Sequence, residues 1–290
     1  AWMIRRLREG FCTVPNPLNR NQVSRISLRP DDVDAIVVWT RNPGPLIPHL
    51  AELDSRGYRY YFQYTILGYP RPIDPKSPTM QAAIRTCQEL CRIVGPRRII
   101  WRYDPIVFTG ITQPEFHSHN YRQLAEALRG QTYRSVVSIV DEYRKTKQRW
   151  KRLEGTPAAI QAYDPTQFAR LMRDLSASAE ANGMDIASCA EPIDLSPYGI
   201  RAGKCVDDEL LREVFGIQVT HRKDPTQRDA CGCVVSRDIG MYDSCIYGCQ
   251  YCYATRSFEQ AQIHRTEHDP GSTSLIGAAD RDLDAEGCHR

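Results

Sequence analysis

The sequence predicts an α/β protein. Its expected core is a partial or full parallel β/α (TIM-like) barrel, with a C-terminal cysteine-rich segment. Three observations carry this expectation. Short β-branched and aromatic runs alternate with longer stretches of helical periodicity. The short runs are continuously apolar, as strands buried on both faces are. No Gly-rich phosphate fingerprint follows any of them, which argues against a dinucleotide-binding Rossmann domain. The predicted division is residues 1–223 for the barrel, 224–277 for the cysteine-rich segment and 278–290 for a polar tail.

The elements follow in order. Residues 1–10 read as an amphipathic helix closed by Gly10, and its opening in mid-helix predicts a native start further upstream. Asp34 to Thr40 is a first strand, too short for a helix and rich in Ile, Val and Trp. Pro43 to Arg56 predicts a helix stopped by Gly57, and Tyr58 to Ile66 a second strand. Met80 to Val94 carries Met80, Ala83, Ile84, Cys87, Leu90, Cys91 and Val94 at helical spacing, with Gly95-Pro96 as the stop. Arg98 to Arg102 is the third strand, Gln113 to Leu128 a helix and Tyr133 to Val140 the fourth strand. Asp164-Pro165 opens a helix, as an N-cap followed by Pro in the first turn, and Gly183 ends it. Met184 to Cys189 is the fifth strand and Val206 to Phe215 a short helix.

Composition narrows the function classes. Hydrophobic residues are 41% and charged residues 25%, as in ordinary soluble globular chains. No apolar stretch approaches the ~18 residues that span a bilayer, and Arg5, Arg6 and Arg8 rule out a signal peptide at the start. The expectation is a cytoplasmic protein with no membrane partner. A net charge of +3 does not by itself indicate nucleic-acid binding.

Polar residues follow each predicted strand, as on the rim of a barrel active site. The candidates are Gln63 at the end of the second strand, Arg102 and Asp104 at the end of the third, Asp141 after the fourth and Glu191 after the fifth. Arg102 and Asp104 form a structural ion pair or hold a substrate carboxylate or phosphate. Glu191 caps a turn or acts as a base. We assign Arg102, Asp104 and Glu191 as catalytic candidates, and Gln63, Asp141 and Tyr251 as cofactor-binding ones.

Of the 11 cysteines, Cys231, Cys233, Cys245, Cys249 and Cys252 lie within 22 residues. An odd count without a secretory signal argues against a disulfide framework and for metal. Cys245-Ile-Tyr-Gly-Cys249-Gln-Tyr-Cys252 has the spacing C-x3-C-x2-C. Three thiolates on one tight loop suit a 4Fe-4S cluster with one iron open, whereas structural zinc and electron-transfer clusters usually take four ligands. Gly248 allows the turn. Cys231 and Cys233, with Cys189 and Cys205, make four further thiols, enough for a second 4Fe-4S cluster or a four-cysteine zinc site. The alternative is that Cys189 and Cys205 are buried hydrophobes. Cys87 and Cys91 read as core, and Cys12 and Cys288 show no partner pattern.

The C-x3-C-x2-C spacing resembles that of the radical S-adenosylmethionine (SAM) enzymes. That resemblance implies SAM bound at the open iron, with Tyr251 near the adenine. The loop here lies near the C-terminus rather than after the first strand, and no Gly-Gly-Glu-type strand follows it. With its flanks the chain resembles an uncharacterised domain-of-unknown-function family, whose members are sometimes described as spore photoproduct lyase-like or repair-photolyase-like. The carriers are Val14-Pro15-Asn16-Pro17, Trp39-Thr40-Arg41-Asn42-Pro43, Phe62-Gln63-Tyr64-Thr65 and Trp101-Arg102-Tyr103-Asp104-Pro105. Further carriers are Cys189-Ala190-Glu191, Tyr198-Gly199-Ile200, Gly203-Lys204-Cys205, Cys231-Gly232-Cys233, Asp238 to Tyr242, the cysteine loop through Ala254, and His268-Asp269-Pro270. Arg41 stands where the family pattern has Lys, and the family's opening Ser-Arg-Arg-Thr-Asp strand is not in this sequence; if the protein lacks that segment, a barrel strand and a basic site residue go with it.

The leading expectation is therefore a radical SAM-type enzyme acting on a small-molecule or nucleic-acid-derived substrate, with ferredoxin or flavodoxin as electron donor. One alternative is an iron–sulfur electron-transfer or redox-sensing protein without SAM. The other is a zinc-dependent nucleic-acid-binding module, for which the basic run Arg144, Lys145, Lys147, Arg149, Lys151 and Arg152 around Trp150 would track a phosphate backbone. That run otherwise reads as a solvated face. His117 and His119 read as surface residues at the start of a helix.

Overall fold

The computed structural model describes residues 1–16, 19 and 22–277. The expected tail at 278–290, with Cys288, lies outside the described residues. The chain divides into two compact units.

The smaller unit comprises Ala1–Val33, Arg237–Gly248 and the described residues from Cys252 onward. Helix α1 (Trp2–Glu9) buries Trp2, Ile4 and Leu7 on one stripe. Gly10 ends it at φ 80°, a left-handed conformation that favours glycine, with its N–H on the Arg6 carbonyl. Strands β1 (Phe11–Pro15) and β2 (Val23–Ser27) pair antiparallel. Sequence periodicity did not reveal this hairpin, because both strands are short and β2 is polar. Trp2 Nε1 donates to the Ser272 carbonyl at 2.9 Å, and Thr13 Oγ1 to Thr273 Oγ1 at 2.9 Å.

The larger unit comprises Asp34–Ser236 and Cys249–Tyr251. In chain order it contains β3 (Ile36–Thr40), α2 (Leu50–Ser55), β4 (Tyr60–Thr65), α3 (Met80–Val94), β5 (Ile99–Ile106) and α4 (Pro114–Ala127). Then come β6 (Arg134–Ile139), α5 (Arg144–Lys151), α6 (Pro165–Ala181), β7 (Asp185–Cys189), β8 (Arg201–Gly203) and α7 (Asp208–Phe215). The five predicted strands are β3 to β7. Helix α2 is shorter than predicted, because Pro43, Pro45 and Pro48 break up its first half. Helix α8 (Phe258–Thr266) returns to the smaller unit.

The six strands of this unit form one parallel sheet in sequential order, β3-β4-β5-β6-β7-β8. Sequential order without reversal is that of β/α units laid side by side, with no switch point of the dinucleotide-binding kind. Its edges are β3 and β8, so the prediction is met as a parallel α/β sheet flanked by helices; β3 and β8 do not pair among the described residues.

Side-chain alternation gives the sheet two faces. One carries Tyr60, Phe62, Tyr64, Trp101 and Tyr103, all buried. Trp101 stacks on Tyr121 of α4 with ring centroids 4.6 Å apart, and Tyr64 Oη donates to the Ala83 carbonyl of α3. The other carries Val37, Tyr61, Ile100 and Val136, against which Leu210 and Leu211 of α7 pack. Toward the strand C-termini this second face turns polar: Gln63, Arg102, Asp104, Ser138 and Cys189.

Candidate metal-thiolate site

Helix α7 begins at an N-cap, Asp207, whose carboxylate accepts from the Glu209 and Leu210 N–H groups and pairs with Arg134 at 2.7 Å. This cap fixes the turn Lys204-Cys205-Val206 between β8 and α7. Tyr61 Oη, from β4, donates to the Cys205 carbonyl and accepts from the Asp207 N–H. Gln63 Nε2 reaches the same carbonyl at 2.9 Å. Cys205 is thus pinned over the polar end of the sheet.

Cys189 ends β7, and its Sγ lies 3.0 Å from Cys205 Sγ. Asp224 turns the chain back by accepting from Thr226 N–H and Oγ1, and Asp224 N–H binds the Cys233 carbonyl. Val234 N–H then binds the Val206 carbonyl. Cys233 Sγ accepts two backbone N–H groups, from Cys205 at 3.2 Å and Val206 at 3.3 Å. Cys231 and Cys233 are buried in one cluster with Cys205, Ala190, Val206 and Val234, and Cys189 packs against it. The four thiols grouped by sequence reasoning come together.

Arg102 is the cation of this cluster. It lies within β5, which runs on to Ile106, beyond the predicted strand end at Arg102. Its Nη1 reaches Cys205 Sγ at 2.7 Å and Gln63 Oε1 at 3.3 Å, and its Nη2 pairs with Asp104. Ser138 Oγ donates to the same Asp104 carboxylate. Burial works against the Arg102 charge, but the Cys205 and Cys189 sulfurs hold it up. The Cys205 contact, with Arg102 nearby, draws Cys189 down toward the thiolate. The same thiol and the Val206 and Cys205 N–H groups draw Cys233 down. Contacts with Cys189 and Cys233, then burial, push Cys205 up, and burial foremost pushes Cys231 up. Two of the four thiols, Cys189 and Cys233, are thus drawn toward the thiolate and two, Cys205 and Cys231, away from it, beside one guanidinium.

Among the described residues, no group of three or more His, Cys, Asp or Glu side chains is arranged to hold a metal ion. The sulfurs touch one another instead. Tetrahedral zinc with ~2.3 Å Zn–S bonds places its sulfurs ~3.8 Å apart, so the Cys189 and Cys205 sulfurs, 3.0 Å apart, stand closer than two ligands of one ion would. The donor chemistry nonetheless suits a thiophilic metal: buried, soft, with N–H groups aimed at sulfur.

Glu191 and Asp141 are rim residues beside this cluster. Glu191 accepts from the Ile139 N–H at 2.7 Å, a capping role on β6. Burial outweighs that bond and, with the Asp141 charge, pushes its carboxyl up to about 7. Asp141 pairs with Arg228.

The predicted loop is placed in two parts. Cys245 and Cys252 belong to the smaller unit, where Cys245 is exposed and Cys252 Sγ donates to Thr255 Oγ1 at 3.6 Å. Gly248 takes φ 77°, the turn its position requires. Cys249 and Tyr251 belong to the larger unit. Cys249 Sγ accepts from Arg41 Nη1 at 3.0 Å, and the same nitrogen reaches Asp74 at 2.6 Å and Ser77 at 2.7 Å. Arg41 follows β3, so Cys249 sits at the C-terminal edge of the sheet. Tyr251 is buried, with its hydroxyl on Asp74 and its ring edge-on to Tyr69 at 5.9 Å. Arg149 donates to the Cys249 carbonyl and Trp150 to the Gln250 carbonyl, each at 3.2 Å. Those two members of the basic run face inward and hold this segment. Beside it lies a cleft of about 340 Å³ lined by residues including Arg41, Thr65, Gly68, Asp74 and Ser77.

Arg102 and Gln63 meet over Cys205, whereas Cys249 is held by Arg41, noted in the sequence only where the family pattern has Lys, and by Asp74 and Ser77, which the sequence did not single out; Asp74 sits in an ordinary Asp-Pro turn. One expectation changes. His117 is no surface residue. It is fully buried, bonded to Tyr103 Oη at 2.9 Å and the Val107 carbonyl at 3.1 Å, and burial lowers its pKa to about 4. His119 is exposed. Cys87 is in the core, as predicted, and Cys91 is half-buried.

No helix of the described residues is long and apolar enough to cross a membrane. Neither a curated protein nor a solved structure matches the chain. The chain belongs to the family described as a domain of unknown function (DUF1848), whose family model matches residues 1–254.

Proposed function

We propose that this member of the family is an iron–sulfur enzyme of the radical SAM type, with Cys245, Cys249 and Cys252 holding a 4Fe-4S cluster. The observation that carries the reading is the seat of Cys249. Its sulfur lies on the Arg41–Asp74 pair at the C-terminal edge of a parallel sheet, beside a cleft of about 340 Å³. Ligand sites in parallel α/β folds gather at that edge. When bound, such a cluster supplies the electron for reductive cleavage of SAM and hydrogen abstraction from a substrate. The chain's own residues do the rest. Arg41 offers a cation to the Cys249 thiolate, and Asp74 keeps that cation in place. Tyr251 packs the segment against Tyr69 and shields it from water. The cleft residues Thr65, Gly68 and Ser77 offer a polar wall for the cofactor. The reading includes an electron donor of the ferredoxin or flavodoxin kind and a small-molecule or nucleic-acid-derived substrate. The nucleic-acid-binding reading loses ground because Trp150 and Arg149 bond to backbone carbonyls instead of facing solvent.

The test is anaerobic purification followed by iron and sulfide analysis and EPR of the reduced protein with and without SAM. Iron with matching sulfide, lost in Cys249→Ala, and a spectrum changed by SAM are expected. Absence of sulfide, or full iron retention in Cys249→Ala, overturns the cluster. A spectrum indifferent to SAM moves the function to electron transfer.

A further inference from the structure

We infer that Cys189, Cys205, Cys231 and Cys233 bind one tetrahedral divalent ion of the zinc type, and not a second iron–sulfur cluster. The inference does not depend on the loop cluster, since all four ligands belong to the larger unit and to other segments of chain.

Spacing decides between the two. One ion needs its four sulfurs ~3.8 Å apart, so the 3.0 Å contact of Cys189 and Cys205 has to open by less than 1 Å. Side-chain rotation supplies that movement. A cubane needs a cysteine on each of four irons, with the whole cluster between the sulfurs. Here Ala190, Val206 and Val234 are packed in the same buried cluster as the thiols, so a cubane needs more rearrangement than a single ion. The backbone resists expansion as well. A Cβ on Gly203 would stand 2.9 Å from the Ser188 carbonyl oxygen, and one on Gly232 3.2 Å from Lys204 Cγ. Ala190, next to Cys189, is held at φ 51°, a conformation that non-glycine residues keep only where their surroundings impose it.

The surroundings suit bound thiolates. Two backbone N–H groups point at Cys233 Sγ and the Arg102 guanidinium at Cys205 Sγ. Such second-layer donors lower the charge that four thiolates place on one ion. The gain for the fold is plain. Strand β8 is three residues long and forms an edge of the sheet. One ion would join the end of β7, Cys205 two residues after β8, and the Cys231–Cys233 turn.

The experiment uses the full chain with Cys245, Cys249 and Cys252 all changed to Ala, so that loop iron does not interfere. Zinc, iron and acid-labile sulfide are measured, and the metal is then exchanged for cobalt(II). About one metal ion per chain without sulfide, and the visible bands of a tetrathiolate cobalt centre, are expected. Those bands should be lost in Cys231→Ser/Cys233→Ser. Iron with equal sulfide in the triple variant, a folded triple variant that takes up no metal, or cobalt bands surviving the double change each overturns the inference. If the triple variant does not fold, the unaltered chain still decides. About one zinc beside a single cluster's iron and sulfide supports the site, and two clusters' worth of iron and sulfide refutes it. Failure of the loop cluster alone is recognised separately, as one zinc with no sulfide in the unaltered chain.

Discussion

Two buried polar regions of the larger unit invite comparison. One is the aromatic layer between the sheet and α4. There His117 bonds Tyr103 and Val107, Asn120 donates to Tyr103 Oη and the Leu67 carbonyl, and Trp101 donates to the Ile66 carbonyl. Each of these groups is neutral and has a partner. The other is the thiol cluster, where Cys189, Cys205, Cys231 and Cys233 gather beside the Arg102 guanidinium. A closed neutral network is a structural solution to burying polar atoms. A cluster of ionisable groups with a single counter-charge is stable only if something further is bound, or at a cost to the fold. The contrast separates the histidine, whose bonds are met within a neutral layer, from the cysteines, which gather beside a buried cation.

The comparison can be broken from either side. The largest effect is expected for Trp101→Ala, which removes a fully buried ring stacked on Tyr121; a loss of ~3–5 kcal/mol should appear in denaturant unfolding. A loss below 1 kcal/mol would show that the layer is not the core described above.

Next is pH. His117 is neutral in the fold, with its pKa lowered from 6.5 to about 4. Unfolding lets it take a proton, so its contribution is fully present above about pH 6.5 and is lost as pH falls toward 4. The full contribution is ~3 kcal/mol. Stability measured across that range should fall more steeply in the native chain than in His117→Gln. Equal slopes would place the titration elsewhere.

Gly203→Ala probes the thiol side. Its Cβ would meet Ala187 Cβ and the Ser188 carbonyl oxygen, both at 2.9 Å, and overpacking of this kind costs ~1–3 kcal/mol. Because Gly203 lies two residues before Cys205, metal uptake should weaken with stability. Unchanged cobalt binding in this variant would uncouple β8 from the site. The smallest effect is expected for Trp39→Ala. Trp39 neighbours Gln63 in the sheet but is 51% exposed, so its removal should change stability by no more than ~0.5 kcal/mol. A larger loss would mean that the polar face is covered.

Much of this was legible in the amino-acid order. Strands β3 to β7 and helices α3, α4 and α6 follow from local propensity and periodicity, and the C-x3-C-x2-C loop from spacing within eight residues. Hairpin β1–β2 and strand β8 were not legible, because short polar strands carry no period and exist only through their partners. Helix α2 lost its first half to prolines that were visible but underweighted.

The sequence by itself determined which residues can do chemistry, because cysteine density, strand-end polarity and capping are local properties. The tertiary structure decided which of them meet. Arg102 reaches Cys205 across 103 positions, and Arg41 reaches Cys249 across 208. Parallel register sets the first meeting, by placing Gln63, Arg102 and Ser138 on one face of neighbouring strands. Burial decided the fate of His117, whose helical position is compatible with either surface or core. The packing of α4 on the sheet selected the core and left the histidine neutral, while the thiols gather on the opposite face.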